Sequence, residues 1–340
     1  MSTAPACLSH GRVTITPALR AAVDRLDHRS RHQAAYHFGW ITAGGAPTSA
    51  DAGKAVRPAL ALLSAEAVGA PPEVALPGAV AVELVHNFSL VHDDLMDGDE
   101  ERRHRRTVWK LWGPSSAILT GDAMLALAQE VLLDTGLPTA APAARLLART
   151  TRHLIRGQVQ DLSFEQRSHV TVEECVDMAA GKTGALLSAS AAIGAVLAGA
   201  PEATVDALAL YGDQVGLAFQ LVDDVLGIWG DPAVTGKPVH SDLRSRKKSL
   251  PVSYALNQDG PLSDELAAWL AAPGEPGEPA EEELRRVAGL IEGAGGRDWA
   301  LAEAARRLAL AEDALRGVEL DAGARDELLA LGRFVVDREV

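Results

Sequence analysis

AVAVELVHNFSLVHDDLMD, residues 79–97, begins as an almost wholly apolar run and closes on three aspartates. A run apolar on every side makes a helix that is buried all round, so these carboxylates emerge from the interior and not from a polar face. Successive helical residues turn by about 100°, which points Asp93 and Asp97 the same way and puts Asp94 to one side. On an exposed helix, unpaired like charges at this spacing cost only a few tenths of a kcal/mol, so the plain alternative is a solvated acidic turn. Buried like charges instead need a cation. Carboxylates without cysteine or well-spaced histidine select a hard ion, and magnesium is usually held by one or two carboxylates plus substrate phosphates. The next residues add Asp99, Glu100 and Glu101 and then Arg102, Arg103, Arg105 and Arg106. Guanidinium forks match the oxygens of a diphosphate.

The same order recurs in FQLVDDVLGIWGDPAVTGKPVHSDLRSRKKSLP, residues 219–251. An apolar helix again ends in paired aspartates, Asp223 and Asp224, followed by Asp231 and Asp242 and by the cations Lys237, Arg244, Lys247 and Lys248. Two such segments in one chain are hard to explain as chance surface patches, and the expectation is that they face each other. Lys54 and Arg57, in AGKAVRPAL, stand at a loop-to-helix junction where free N–H groups also favour anions. GKTGALL places Lys182 and Thr183 in a helix of small residues, where the lysine either binds an anion or snorkels to solvent. Gln158 and Asp161 in RGQVQDLSFE read equally well as ordinary helix-surface groups.

The rest of the chain indicates all-α architecture. Alanine and leucine dominate, aromatics are 4%, and β-branched alternation is scarce. Helices are predicted over 16–35, 57–68, 117–134, 141–163, 171–198, 202–229, 246–258, 262–271, 281–293, 298–316 and 321–337, with the low-complexity stretch 272–283 a surface loop. No linker divides the motifs, so residues 1–340 read as a single domain. A net charge of −14 argues against a nucleic-acid partner. Cys7 and Cys175 suggest neither a disulfide framework nor a zinc site, which points to the reducing cytoplasm. No signal peptide is visible, and the apolar run 184–200 is short for a membrane span, so it reads as a core helix and no transmembrane segment is expected.

Taken together, HDDLMD with RRHRRT after it, GK..RP upstream, GKTG in the middle and FQLVDDVLGIWGD....GKP..SDL...KKSLP downstream resemble the trans-isoprenyl diphosphate synthases, or polyprenyl synthetases. The motifs run from about Lys54 to Pro251. This resemblance implies the isoprenoid synthase fold, a helical bundle around a deep cavity, usually as a homodimer. It implies condensation of isopentenyl diphosphate with an allylic diphosphate, supported by about three Mg²⁺ ions when diphosphate is bound. Asp93, Asp97 and Asp223 would be metal ligands, with Asp94 and Asp224 in support. Arg102, Lys182, Lys237 and Lys247 would hold the allylic diphosphate, and Lys54, Arg57, His86 and Arg103 the isopentenyl diphosphate. Thr183 and Gln220 would line the reaction centre.

Three positions depart from the family pattern: Gly227 replaces the last aspartate of the second motif, Ala55 replaces a basic residue, and His240 stands where a small residue is common. Phe88, five before Asp93, and Ser89, four before, resemble the geranylgeranyl (C20) pattern, with farnesyl (C15) the shorter possibility. The main rival is a class I terpene cyclase acting on one prenyl diphosphate, although few aromatics are available to line its cavity. A histidine–aspartate phosphohydrolase lacks the further histidines it needs. A non-catalytic partner of a related synthase would be expected to lose the first aspartates, which are intact.

Overall fold

The computed structural model describes residues 5–48, 53, 55–231, 239–272 and 279–336, and nearly all of its regular structure is helical, as the sequence predicts. The first helices are α1 (Ala6–Val23), α2 (His28–His37), α3 (Val56–Ala67), α4 (Leu76–Met96), α5 (Val108–Trp112), α6 (Pro114–Leu133) and α7 (Ala140–Glu165). They continue as α8 (Val172–Ala179), α9 (Ala185–Leu197), α10 (Glu202–Trp229), α11 (Ser241–Arg244), α12 (Leu250–Leu256), α13 (Pro261–Ala271), α14 (Glu281–Gly293), α15 (Gly296–Arg316) and α16 (Ala322–Val336). The two-residue strands β1 (Glu101–Arg102) and β2 (Arg105–Arg106) pair antiparallel.

Two boundaries differ from the spacing-based reading. The predicted helix 16–35 is two helices, and the first starts at Ala6, with Pro17 inside it. Proline suggests a helix start because it lacks an N–H, but Ile15, Leu19, Ala22 and Val23 are buried along this helix and packing decides the matter. The chain then stops and restarts at Asp27, whose side chain accepts from the N–H of Arg29 (2.9 Å) and Ser30 (3.2 Å). The predicted helix 171–198 begins with a capping box between Thr171 and Glu174, but passes through a π-helical segment, Ala180–Gly184, between α8 and α9. One extra residue per turn leaves the apolar pattern almost unchanged, so periodicity does not reveal it.

The chain forms two compact units, the first from residues 1–151, 186–210 and 315–331 and the second from 152–185, 211–314 and 332–340. Within the first, α4 packs against α3 and α6, and Leu60, Leu84, Val85, Val91, Met124 and Ile193 are buried. Within the second, Phe164, Met178, Leu217, Leu221 and Leu250 share a core. Each fully buried Leu or Phe contributes about 1.5–3 kcal/mol relative to its exposed state, so these cores hold the helix ends that carry the aspartates.

Three helical stretches, Pro72–Met96, Pro114–Leu133 and Val172–Leu197, are long and apolar enough to cross a membrane by length and composition. The first and third spend most of that apolar surface inside the protein, 72% and 67% buried, which agrees with the core-helix reading of 184–200. Both cysteines are free and buried. Burial pushes the Cys7 and Cys175 thiols up to about 12. A thiolate-selective reagent at pH 8 should therefore leave both thiols unmodified in the native protein and titrate both after denaturation; fast labelling of either in the native state would contradict this packing.

Candidate active site

The first acidic segment sits where α4 runs out. Asp93 is half-buried, Asp94 is 1% exposed and Asp97 caps the helix C-terminus in the open. The shared face of Asp93 and Asp97 thus reaches the surface while Asp94 turns inward. Asp94 Oδ1 accepts from Arg102 Nε at 2.6 Å, and its Oδ2 is buried with no hydrogen-bond partner. Burial pushes the Asp94 carboxyl up to about 6, against the pull of Arg102.

Arg102 is delivered by the β1–β2 hairpin. Its two-residue turn, Arg103 and His104, has φ of 52° and 58°, the twist a type I′ turn requires but one that usually calls for Asn or Gly. Two side-chain-bearing residues are thus held in a left-handed conformation at a site where the arginine matters. The four arginines do not act alike. Arg105 donates to the carbonyls of Tyr36 (2.7 Å) and Ile41 (2.9 Å) and stacks 4.0 Å over the Tyr36 ring, so it fastens the hairpin to α2. The sequence reading, which offered all four to a diphosphate, is corrected there.

A second basic group lies in the same unit. Arg57 is on the first turn of α3, and burial brings it down to about 10 although Glu83 opposes the shift. Glu83, the one carboxylate inside the apolar run of α4, is pushed up by burial and restrained by Arg57. Asn87 Nδ2 donates to Glu83 Oε1 at 2.9 Å. Burial, then the charges of Arg57 and Arg103, hold His86 well below the ordinary imidazole range, and burial with Arg102 and Arg103 holds His37 down to about 3. These neutral imidazoles beside arginines can donate hydrogen bonds to an anion without adding charge. Arg12 donates to the Gly53 carbonyl, and Arg103 packs against the Gly53 backbone. Lys54 lies outside the described residues.

In the second unit, Asp223 is half-buried near the end of α10 and Asp224 is 5% exposed. Both Asp224 oxygens are used: Oδ1 accepts from Gln220 Nε2 (2.8 Å) and Oδ2 from the Leu250 N–H (2.9 Å). Gln220 Oε1 in turn accepts from Thr183 Oγ1 at 2.6 Å. This relay links the π-segment, α10 and α12 and fixes the Gln220 amide. Burial raises the Asp224 carboxyl, with Lys247 opposing. Burial also works against the charge on Lys247, but Asp224, Asp161, Asp242 and Asp223 around it win and hold it above the ordinary lysine range. Lys182 Nζ donates to Asp161 Oδ2 at 2.6 Å. Lys248 donates to the Phe164 carbonyl (2.8 Å) and Arg244 pairs with Glu281 (2.5 Å), so neither belongs to the acidic group. His240 is explained as well: it is buried, its Nδ1 lies 3.1 Å from Glu281 Oε1, and a small residue there would lose that contact. Lys237 lies outside the described residues.

In both segments the second aspartate is buried and tied inward while the first is left nearer the surface. The donors are carboxylates without nitrogen or sulfur ligands, and among the described residues no three His, Cys, Asp or Glu side chains form a ready-made metal cage. Such open oxygen sites suit Mg²⁺, which takes its remaining ligands from water and phosphate; the buried, unpartnered Oδ2 of Asp94 adds an acceptor at the first of them.

Residues 40–284 match the polyprenyl synthetase family model. The chain belongs to the polyprenyl synthetase family. The synthetase is 54% identical over 325 residues to a (2E,6E)-farnesyl diphosphate synthase of Mycobacterium tuberculosis, covering 96% of this chain and 90% of that one. It is 42% identical over 337 residues to a geranylgeranyl diphosphate synthase of the same organism, covering 98% and 94%. A crystal structure of a polyprenyl synthetase from Streptomyces coelicolor superposes with a TM-score of 0.94 at 57% identity, covering 97% of this chain and 99% of that one. The all-α expectation and the family resemblance are thus both borne out, and the synthetase is a trans-prenyltransferase.

Of the residues singled out in the sequence, the first unit brings together Asp93, Asp94, Asp97, Arg102 and Arg103, with Arg57 and His86 on α3 and α4. The second unit brings together Lys182, Thr183, Gln220, Asp223 and Lys247. Sequence reasoning missed Arg12, His37, Glu83 and Asn87. Glu83 alone carried a signal, since a carboxylate inside an apolar run demands a cation nearby.

Proposed function

We propose that the synthetase condenses isopentenyl diphosphate with an allylic diphosphate, using Mg²⁺, and stops at a short chain. The observation that carries this reading is the first acidic segment: Asp93 and Asp97 stand at the mouth of a buried helix beside an arginine that Asp94 holds in place. When bound, Mg²⁺ neutralises the diphosphate leaving group as the allylic C–O bond breaks. Asp93, Asp97 and Asp223 are the ligands that would hold it. Arg102, Lys182 and Lys247 orient the allylic diphosphate, and the inward carboxylates Asp94 and Asp161 keep the first two from collapsing onto the metal ligands before substrate arrives. Arg57, Arg103 and neutral His86 take the isopentenyl diphosphate. Thr183 fixes the Gln220 amide so that its oxygen faces the developing allylic cation. No protein nucleophile is needed, and the released diphosphate takes the proton.

For chain length, the 54% identity with a farnesyl synthase favours C15. Ser89, small beside Phe88, favours C20 as the second reading. Phe88 is buried and meets the edge of His92, with ring centroids 5.4 Å apart. His92 is itself pressed on α6, its Nε2 3.0 Å from the Ile118 carbonyl. A floor backed this firmly cannot swing aside, so Phe88→Ala should lengthen the main product by at least one isoprene unit. Chromatography of the dephosphorylated alcohols checks this; an unchanged product would remove Phe88 from the floor.

The protein acts as one functional domain in the cytoplasm and pairs with a second copy. α6 supports the pairing, because it leaves Ile118, Leu119 and Leu133 exposed at 46%, 63% and 53%, more apolar surface than one helix usually shows to water.

A further inference from the structure

Gly227 occupies the fourth position after Asp223 on α10, where a second carboxylate would complete an i, i+4 pair. The space such a side chain would need is taken. A Cβ built on Gly227 would lie 2.5 Å from both Cγ and Oδ2 of Asp242 and 2.7 Å from its Oδ1, so the whole carboxylate group fills the cradle. Asp242 comes from α11, which is tied back to α10 by the Ser241 hydroxyl donating to the Gly227 carbonyl at 3.3 Å. Lys247 follows from the same turn, its N–H donating to the Asp242 carbonyl at 2.9 Å. Asp231, the other carboxylate nearby in sequence, is exposed beyond the end of the helix.

We propose that Asp242 is the carboxylate that partners Asp223 in holding Mg²⁺, relocated from helix position 227 to α11, and that Gly227 is glycine because Asp242 needs its space. The two positions are then alternatives: a carboxylate at one excludes the other. This rests on the Mg²⁺ reading above, and the following test separates the two.

Mn²⁺ binding in the presence of inorganic diphosphate is titrated by electron paramagnetic resonance on the full chain. The wild type should bind Mn²⁺; if it does not, the metal reading itself fails. Asp242→Asn, which keeps the shape and removes the charge, should weaken the affected Mn²⁺ by roughly 10- to 100-fold. Gly227→Asp alone should melt lower, since its side chain meets the Asp242 carboxylate. The double variant Gly227→Asp/Asp242→Ala should recover Mn²⁺ affinity to within a few-fold of wild type. Wild-type affinity in Asp242→Asn overturns the proposal, as does absence of recovery in a double variant that unfolds as cooperatively as wild type. Should the double variant not fold, Asp242→Asn decides alone.

Discussion

Asp93→Ala should lower kcat/KM for prenyl transfer by roughly 10²- to 10³-fold or more, the size of effect seen when one preorganised charge contact to a developing anion is removed, and should leave the melting temperature unchanged. The reason lies in the division of labour along α4. Asp93 is half-buried and near the surface, and removing it also relieves repulsion from Asp94. Asp94→Ala should behave differently. It strips a buried partner from Arg102, a bond of 2.6 Å to a side chain only 1% exposed, and breaking such a pair costs on the order of 3 kcal/mol. At about 2–4 °C per kcal/mol, Asp94→Ala should melt several degrees lower as well as lose activity. Thermal unfolding followed by circular dichroism, alongside steady-state kinetics, checks both. Equal melting losses in the two variants would show that Asp93, too, is a structural carboxylate.

Gly157→Ala is the largest stability effect expected from adding a single methyl group. The new Cβ would sit 2.3 Å from the Lys182 backbone nitrogen and 2.8 Å from the Gly181 carbonyl carbon. These are backbone atoms and cannot rotate away, so α7 and the π-segment must separate. Overpacking of this kind costs typically 1–3 kcal/mol, occasionally more, or a fall in melting temperature of about 3–10 °C. Activity should fall even at temperatures where the variant is folded, because Asp161, one turn along α7 from Gly157, would no longer meet Lys182 at 2.6 Å. The Asp161→Asn variant separates the two effects: it weakens the pairing without forcing the helices apart, so it should lose activity with a smaller melting shift. A Gly157→Ala variant that melts like wild type would mean that the two segments do not touch at this point.

Much of the fold is legible because the apolar pattern is strong. The predicted helix 202–229 is α10 to the residue, and the buried character of residues 79–97 follows from having almost no polar side to expose. The misplaced boundaries share a physical origin: local signals lost to packing. Pro17 marks a start that the buried face of α1 overrides, and the break at Asp27 depends on one side chain capping two N–H groups. The π-segment is silent because one inserted residue barely disturbs the period. In the site, residue types and order name the chemistry, but pairings across elements stay hidden. Lys182 with Asp161 are 21 positions apart and Arg102 with Asp94 are 8 apart, joined by the hairpin. The odd glycine at 227 is visible in the sequence as a missing carboxylate. That Asp242 fills its place is visible only in three dimensions.

The measurement that bears most directly on the function is incorporation of labelled isopentenyl diphosphate by the purified protein with dimethylallyl, geranyl or farnesyl diphosphate in turn, with and without Mg²⁺. Mg²⁺-dependent transfer of label into a C15 or C20 alcohol after dephosphorylation is the expected result. Consumption of farnesyl or geranylgeranyl diphosphate to a hydrocarbon, with no label incorporated under any condition, would contradict it and make the protein a cyclase.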